Sequence, residues 1–183
     1  MAKRRVKDTD RYYLAYGSNL SVDQMLYRCP DAVYVGYTYI KDYELLFKGS
    51  QTGSYLTIEK KDGAVVPVLV WKISKADEKN LDRYEGCPHF YYKKMMKVKV
   101  YNFLTHRPGK EVDAMVYIMH EERRLGVPSG SYYSVCKEGY DRFGFDECHL
   151  IKALANSVGD KRADHLSEYW GKNYGLNRVS GWR

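Results

Sequence analysis

Two short stretches of this chain hold residue types able to move a proton or hold an anion. The first is Leu81-Asp82-Arg83-Tyr84-Glu85-Gly86, in which Glu85 falls on the last turn of a helical pattern just before glycine. A carboxylate there faces the negative end of the helix dipole and the carbonyls that lack intrahelical donors, so its charged form is disfavoured and its proton affinity rises, more so with burial. A carboxyl tuned upward suits acid/base chemistry near neutral pH. Asp82 reads as a solvated surface residue. The second stretch is Tyr13-Leu14-Ala15-Tyr16-Gly17-Ser18-Asn19-Leu20-Ser21, a buried strand, a glycine turn and the start of a helix. Glycine gives the backbone freedom to point successive N–H groups into one concavity, a setting for a carboxylate or an oxyanion. Taken alone, each stretch also has an ordinary reading, a solvated glutamate and a tight turn.

Other chemistries find less support. The loop is neither a G-x-x-x-x-G-K-[ST] phosphate cradle nor a G-x-S-x-G nucleophile elbow. The five histidines are scattered, with no Ser/His/Asp or Cys/His constellation. Cys29, Cys87, Cys136 and Cys148 are widely spaced without C-x-x-C. The pairs Cys87/His89 and Cys148/His149 do not add up to a tetrahedral ligand set, so no metal and no cofactor are expected, and the thiols read as reduced core residues.

The elements that must position these residues follow from periodicity and punctuation. Tyr12 to Tyr16 reads as a strand. Ser21 and Gln24 have the capping-box form, followed by Val22, Met25, Leu26 and Cys29 at helical spacing and a stop at Pro30. Strands are expected over 34–40, 44–47, 55–59 and 65–73, with a turn at Lys61-Asp62-Gly63 and Pro67 marking an edge or bulge. Ser74 and Asp77 cap a helix through Glu85 whose inner side carries Ala76, Leu81 and Tyr84. Strands 91–103 and 113–119 flank a turn at Arg107-Pro108-Gly109. Two further helices start near Ser131 and at Asp146, and the stretch after Asp160 has room for one more. The resulting class is α+β, a largely antiparallel sheet closed by helices.

The chain has 183 residues, which favours one domain. We divide it into a basic N-terminal tail (1–11), a single domain (12–159) and a C-terminal extension (160–183). Thirty basic and 23 acidic side chains leave +7, part of it in Lys3, Arg4, Arg5 and Lys7. A basic tail and 19 tyrosines would allow a module that binds RNA or a protein partner, but tyrosine more often fills half-buried strands, so nucleic acid is not expected. The longest apolar stretch, Ala64 to Trp71, falls far short of the ~20 residues needed to cross a bilayer. No membrane association is expected, and a cytoplasmic location is.

Three motifs in order resemble the gamma-glutamylcyclotransferase family, which includes the plant AIG2-like proteins. They are Tyr16-Gly17-Ser18-Asn19-Leu20 beside a short helix, Leu81-Asp82-Arg83-Tyr84-Glu85-Gly86 after a strand ending in Val70-Trp71-Lys72, and Pro128-Ser129-Gly130-Ser131-Tyr132 leading into a helix. The resemblance implies a small mixed β-barrel flanked by helices. It implies Glu85 as the acid/base residue, Tyr13, Leu14, Ala15, Tyr16, Gly17, Ser18 and Asn19 lining a small γ-glutamyl substrate, and Tyr132 contacting it from the opposite wall. The implied reaction releases 5-oxoproline from a γ-glutamyl amino acid or amine, with the substrate's own amine as nucleophile. A γ-glutamyl group carried on a larger molecule is the alternative substrate, and a homodimer is compatible with the pattern.

Overall fold

The computed structural model describes residues 11–50 and 53–174. The basic run Lys3 to Lys7 and the last nine residues therefore lie outside it. Arg11, counted above with the tail, is the first residue of β1.

Strand β1 (Arg11–Ala15) runs antiparallel to β3 (Gly53–Ile73), with Tyr13 opposite Trp71, and parallel to β5 (Pro108–Met119), with Tyr13 opposite Met115. It is hydrogen-bonded on both edges, and Leu14 and Ala15 are fully enclosed. Strand β4 (Tyr91–Tyr101) pairs antiparallel with β5, and β2 (Val33–Ser50) pairs antiparallel with β3 along almost its whole length. The order β3-β1-β5-β4-β2 returns to β3, so five strands close a mixed barrel in which β1–β5 is the parallel pair; the two-residue β6 (Arg124–Leu125) adds to β2. The α+β barrel expected from the sequence is the observed architecture.

The strands are longer than the sequence pattern suggests. The segments expected at 34–40 and 44–47 are one strand, as are those at 55–59 and 65–73, because β2 and β3 pass through a shared irregularity instead of breaking. There Asp42 takes φ 59°, Gly63 takes φ 75°, and the Gly63 N–H donates to Asp42 Oδ1 (3.0 Å), so Lys61-Asp62-Gly63 forms a local outbulge. Pro67 opposes Tyr39 of β2, and β1 pairs with β3 only from Leu69 onward. The missing N–H of Pro67 thus faces no second partner. The β4–β5 turn spans 102–107 rather than Arg107 to Gly109, since the Asn102 side chain accepts from Leu104 N (2.8 Å) and Thr105 N (3.1 Å) and Pro108 already opposes Tyr101.

Helices α1 (Val22–Arg28), α2 (Lys75–Tyr84), α3 (Gly130–Phe143), α4 (Cys148–Val158) and α5 (Asp160–Tyr174) surround the barrel. At α2 the capping box forms: Ser74 Oγ accepts from Asp77 N and Asp77 returns a bond to Ser74 N. At α1 it does not. Ser21 is the N-cap without a side-chain bond, because Gln24 is drawn instead to Arg28, whose Nη2 donates to Gln24 Oε1 (2.6 Å). Met25 and Cys29 are buried, whereas Leu26 is exposed. On α2 the buried side chains are Asp77 and Leu81, while Ala76 and Tyr84 lie at the surface. Ser129, two residues before Ser131, caps α3 by accepting from Tyr132 N (3.1 Å). Asp146 accepts from Cys148 N (2.8 Å) at the start of α4. Helix α5 packs on α3 and α4, with Trp170 buried against Tyr133 of α3 at 4.9 Å between ring centroids.

One contact ties this scaffold to the Gly17 loop. After β1 the chain makes a 3-10 turn over Ser18–Leu20, and Leu20 is buried against α3 where Gly139 lies. A Cβ on Gly139 would sit 2.4 Å from Leu20 Cβ. Helix propensity alone would favour Gly139→Ala by about 1 kcal/mol. The clash predicts the opposite: urea denaturation should find the alanine variant less stable, by roughly 1–3 kcal/mol.

Candidate active site

Helix α2 delivers Glu85. The residue is the C-cap (φ −80°, ψ −5°), its N–H donates to Leu81 O (2.8 Å), and Gly86 follows with φ 62°, a left-handed value that glycine adopts without strain. The chain turns away at Gly86 while the Glu85 side chain points into the barrel end. There it meets the 3-10 turn, because Asn19 Nδ2 donates to Glu85 Oε1 (2.9 Å) and also to the Tyr13 hydroxyl (2.7 Å). The Asn19 carbonyl is fixed by Trp71 Nε1 (3.1 Å).

Asn19 is oriented in turn by Arg28. The Arg28 Nη1 donates to Asn19 Oδ1, so the amide nitrogen must face Glu85 and Tyr13. Arg28 is itself held by Gln24, by the Tyr84 hydroxyl (2.6 Å) and by stacking on the Tyr84 ring, 3.7 Å from its centroid. Tyr84, exposed on α2, thus secures α1 against α2 rather than filling the core.

Around the carboxylate lies a small pocket of about 30 Å³, lined by Tyr13, Tyr16, Gly17, Ser18, Asn19 and Glu85 together with Leu56, Tyr91, Tyr117 and Tyr132. Burial pushes the Glu85 carboxyl up to about 7, against the nearby Arg28 charge and the Asn19 hydrogen bond, which both pull it down. The dominant cause is therefore desolvation among tyrosine rings. Burial also pushes Tyr13 and Tyr16 up, with the Glu85 charge adding to it, so both phenols stay protonated near neutral pH.

The pocket walls hold one another. Tyr16 OH donates to the Tyr117 carbonyl (2.6 Å), and Tyr117 OH donates to Asp82 Oδ1 (2.7 Å). Asp82 also pairs with Lys93 Nζ (3.1 Å). Asp82 therefore anchors a pocket tyrosine, which corrects its reading as a solvated surface residue. Leu56 presents its peptide between two further tyrosines: its N–H donates to Tyr132 OH (3.1 Å) and its carbonyl accepts from Tyr91 OH (2.9 Å).

Gly17 has a role different from the one its loop suggests. Its φ of −121° is open to any residue, but a Cβ there would lie 3.2 Å from Tyr132 OH and 3.5 Å from Leu56 Cβ. Glycine is needed for close approach rather than for a left-handed bend. Beyond it, the Leu20 and Ser21 N–H groups return to Gly17 O and Ser18 O, whereas among the described residues no acceptor engages the N–H groups of Ser18 and Asn19. Both residues line the pocket.

The structure does not bring Leu14 and Ala15 to the pocket. Both are locked in the two-sided pairing of β1 and packed in the core, so they correct the expectation that the whole run from Tyr13 lines a substrate. Sequence reasoning missed Leu56, Tyr91 and Tyr117, which lie on three different strands with no local motif, and Arg28, whose only signal was a cation at the end of a short helix. The couples Cys87/His89 and Cys148/His149 form no cluster. His120, Glu121 and Glu122 bring donor atoms within 4.8 Å of one another at the surface. Two of them are already engaged, His120 with the Pro88 carbonyl (2.7 Å) and Glu121 with the Tyr92 hydroxyl (2.7 Å).

Comparison with known proteins finds similar chains. A family model described as Gamma-glutamyl cyclotransferase, AIG2-like matches residues 13–134. A mouse protein named gamma-glutamylcyclotransferase is 32% identical over 166 residues, covering 85% of either chain. A bovine protein of the same name is 33% identical over 130 residues, 67% of this chain and 66% of the bovine one. A solved structure named gamma-glutamyl cyclotransferase, 25% identical, superposes with a TM-score of 0.66 over 94% of this chain and 92% of its own.

The Arg28 arrangement makes a direct prediction. Removing the guanidinium in Arg28→Gln withdraws an opposite charge and frees the Asn19 amide to rotate, so the Glu85 carboxyl should titrate higher by roughly one pH unit. Carboxyl carbon NMR reads this without any assay of activity; an unmoved midpoint would show that Arg28 does not act on Glu85. The same burial sets a stability trend. The folded-state value lies above the ordinary 4.5, so the stability contributed by a protonated Glu85 is present at acid pH and lost as pH rises through about 7. Glu85→Gln, neutral throughout, should gain on the parent protein between about pH 5 and pH 8 in denaturant titrations, by of order 2 kcal/mol.

Proposed function

The chain belongs to the gamma-glutamyl cyclotransferase, AIG2-like family, and from that premise we propose that it converts a small γ-glutamyl amide into 5-oxoproline and a free amine, with Glu85 as the acid/base residue. The observation that carries this reading is a half-buried carboxyl, Glu85, bonded to Asn19 of the 3-10 turn and lining one tyrosine-walled pocket together with Gly17 and Ser18.

The nucleophile belongs to the substrate. Its α-amine attacks its own γ-carbonyl carbon, a carbon–nitrogen bond forms, and the bond to the leaving nitrogen breaks. The protein's task is to hold the glutamyl chain bent, and well-oriented intramolecular attack reaches effective molarities of about 10⁵–10⁸ M. No serine or cysteine nucleophile is required. A pocket walled by Tyr13, Tyr16, Tyr91, Tyr117 and Tyr132 offers flat, rigid surfaces suited to compressing such a chain.

Protons must balance. The attacking nitrogen starts as ammonium with three protons and ends as a lactam N–H with one. The leaving nitrogen starts as an amide N–H and ends as ammonium. Glu85 accepts a proton from the first nitrogen and returns it to the second, twice per turnover. A group that titrates near pH 7 is populated in both forms at neutral pH, whereas an ordinary glutamate is almost wholly ionised there and seldom holds the proton that the departing nitrogen needs. The Ser18 and Asn19 N–H groups receive the oxyanion of the tetrahedral intermediate or the substrate α-carboxylate. One such donor typically contributes about 2.7–4 kcal/mol when aimed at developing charge.

The glutamyl moiety enters between the tyrosines of this pocket, with the leaving amine at the mouth. The four cysteines are free thiols, Cys29 and Cys136 fully buried, which suits a reducing cytoplasm.

The test is release of 5-oxoproline from γ-glutamyl-alanine and a panel of γ-glutamyl amino acids and amines, followed by chromatography. Wild-type protein should release it. Glu85→Gln should lose about 10²–10⁴-fold in kcat while remaining folded. Because attack needs the carboxylate as base, kcat/KM should rise with pH through an apparent value near 7. An active glutamine variant would remove Glu85 from the mechanism, and silence across the panel would overturn the activity itself.

A further inference from the structure

Of the strand pairings that close the barrel, β2–β3 and β4–β5 are long ladders, β1 pairs over its short length with β3 and β5, and β2–β4 is the shortest. Among the described residues these two strands share a single paired position, Tyr37 with Tyr101. Beyond it β4 is laddered to β5 on one edge only, and β2 to β3 on one edge only until β6 joins at Lys48 and Gly49. Two strand edges therefore face each other unpaired across a slot of about 770 Å³.

The sequence explains why the slot does not zip shut. Continuing the antiparallel register from Tyr37 and Tyr101 would set Lys41 directly opposite Lys97, a like-charge pair that opposes pairing. Next to Lys41, Asp42 takes φ 59° and the β2–β3 register shifts, so the regular strand geometry that a β2–β4 ladder would extend is interrupted there.

The slot walls alternate. Thr38, Ile40 and Val98 are buried and Met96 is half-buried, forming an apolar floor, while Tyr39, Lys41, Lys97 and Lys99 stand exposed along the rim. Lys60 adds a further cation, and Lys94 lies on the floor bonded to Tyr43 OH (2.8 Å). No ion pair among the described residues engages Lys41, Lys60, Lys97 or Lys99. Asp42, Asp62 and Glu111 also line the slot, and Asp42 is held by the Gly63 N–H. The five lysines outnumber the three acids.

We propose that this slot binds an extended acidic segment of a partner protein as an added strand between β2 and β4. An inserted strand satisfies both unpaired edges at once, and its side chains alternate between two faces. The floor selects apolar residues at every second position, and the rim selects aspartate or glutamate at the positions between. Neither Glu85 nor the pocket around it contributes a residue, so the interaction is independent of the chemistry proposed above.

The experiment uses a fluorescein-labelled peptide of about ten residues alternating glutamate and valine, long enough to span the slot. Fluorescence anisotropy with the full-length protein should saturate. Binding should weaken at least tenfold for the Lys41→Glu/Lys97→Glu double variant and for a peptide N-methylated at alternate residues, which keeps the charge but cannot form the ladder. Glu85→Gln should bind as the parent does. Hydrogen exchange should show amides protected by the peptide within 38–43 and 94–99. Failure to saturate, equal binding of the N-methylated peptide, or protection elsewhere would overturn the proposal. So would protection of these residues that grows with protein concentration without peptide, which would assign the slot to a second copy of the chain.

Discussion

One hydrogen-bonded amide governs this site. The Asn19 side chain carries two donors and one acceptor, and the fold uses all three: both hydrogens go to Glu85 and Tyr13, and the oxygen is taken by Arg28. Since an amide flipped end over end would present oxygen to a carboxylate, the Arg28 contact removes the wrong orientation. Everything nearby depends on that choice. It joins the end of α2 to the turn after β1, sets where the carboxylate oxygens lie, and leaves Glu85 with one strong neutral donor instead of a direct ion pair. A guanidinium bonded to Glu85 itself would hold the proton affinity low. Placed behind an asparagine, Arg28 lends orientation while burial still dominates.

The tyrosine wall meets a second constraint. A pocket that raises a carboxyl must be dry, yet a polar substrate needs hydrogen-bonding groups, and purely aliphatic walls would offer none. Tyrosine supplies both an apolar body and a hydroxyl. Here several hydroxyls also serve the backbone, Tyr16 at the Tyr117 carbonyl and Tyr91 and Tyr132 at the two sides of the Leu56 peptide. The rings are therefore fixed before any ligand arrives, which lowers the ordering cost of closing around a flexible chain. Asp82, Lys93 and Glu78 extend this bracing to the surface through Tyr117.

How much of this was legible in the sequence depended on how local each cause is. The α2 capping box and the helix stop at Gly86 are written within the thirteen residues from Ser74 to Gly86, and so was the position of Glu85. The glycine turn was legible as a turn, but the reason for glycine was not, because the crowding atoms belong to Tyr132 and Leu56, far along the chain. Leu14 and Ala15 were drawn into the site by their neighbours in sequence, although β1 has a partner on both edges and buries them. Strand lengths were underestimated for a related reason. Asp42 and the Lys61-Asp62-Gly63 run look like breaks when read singly, but they face each other across one ladder and absorb each other's irregularity. Tyr91, Tyr117 and Arg28 have no signal of their own; only the closure of the barrel brings them to the carboxylate.

That closure is uneven, and the unevenness follows from what each end of the barrel must do. At the pocket end, β1 lies between β3 and β5, and tyrosines from several parts of the chain brace the walls around the carboxylate through hydrogen bonds to the backbone of Tyr117 and Leu56. Between β2 and β4 pairing stops after one position, with like charges where it would continue and an interrupted strand geometry beside them. A barrel of five strands can tolerate one such opening because β2 remains tied to β3 along nearly its full length and β4 to β5 likewise, leaving each edge strand with one complete ladder. The lysines that prevent self-closure also discourage edge-to-edge association of identical chains, since two such edges would meet with like charge. The arrangement that keeps the slot open thus also restricts what can enter it.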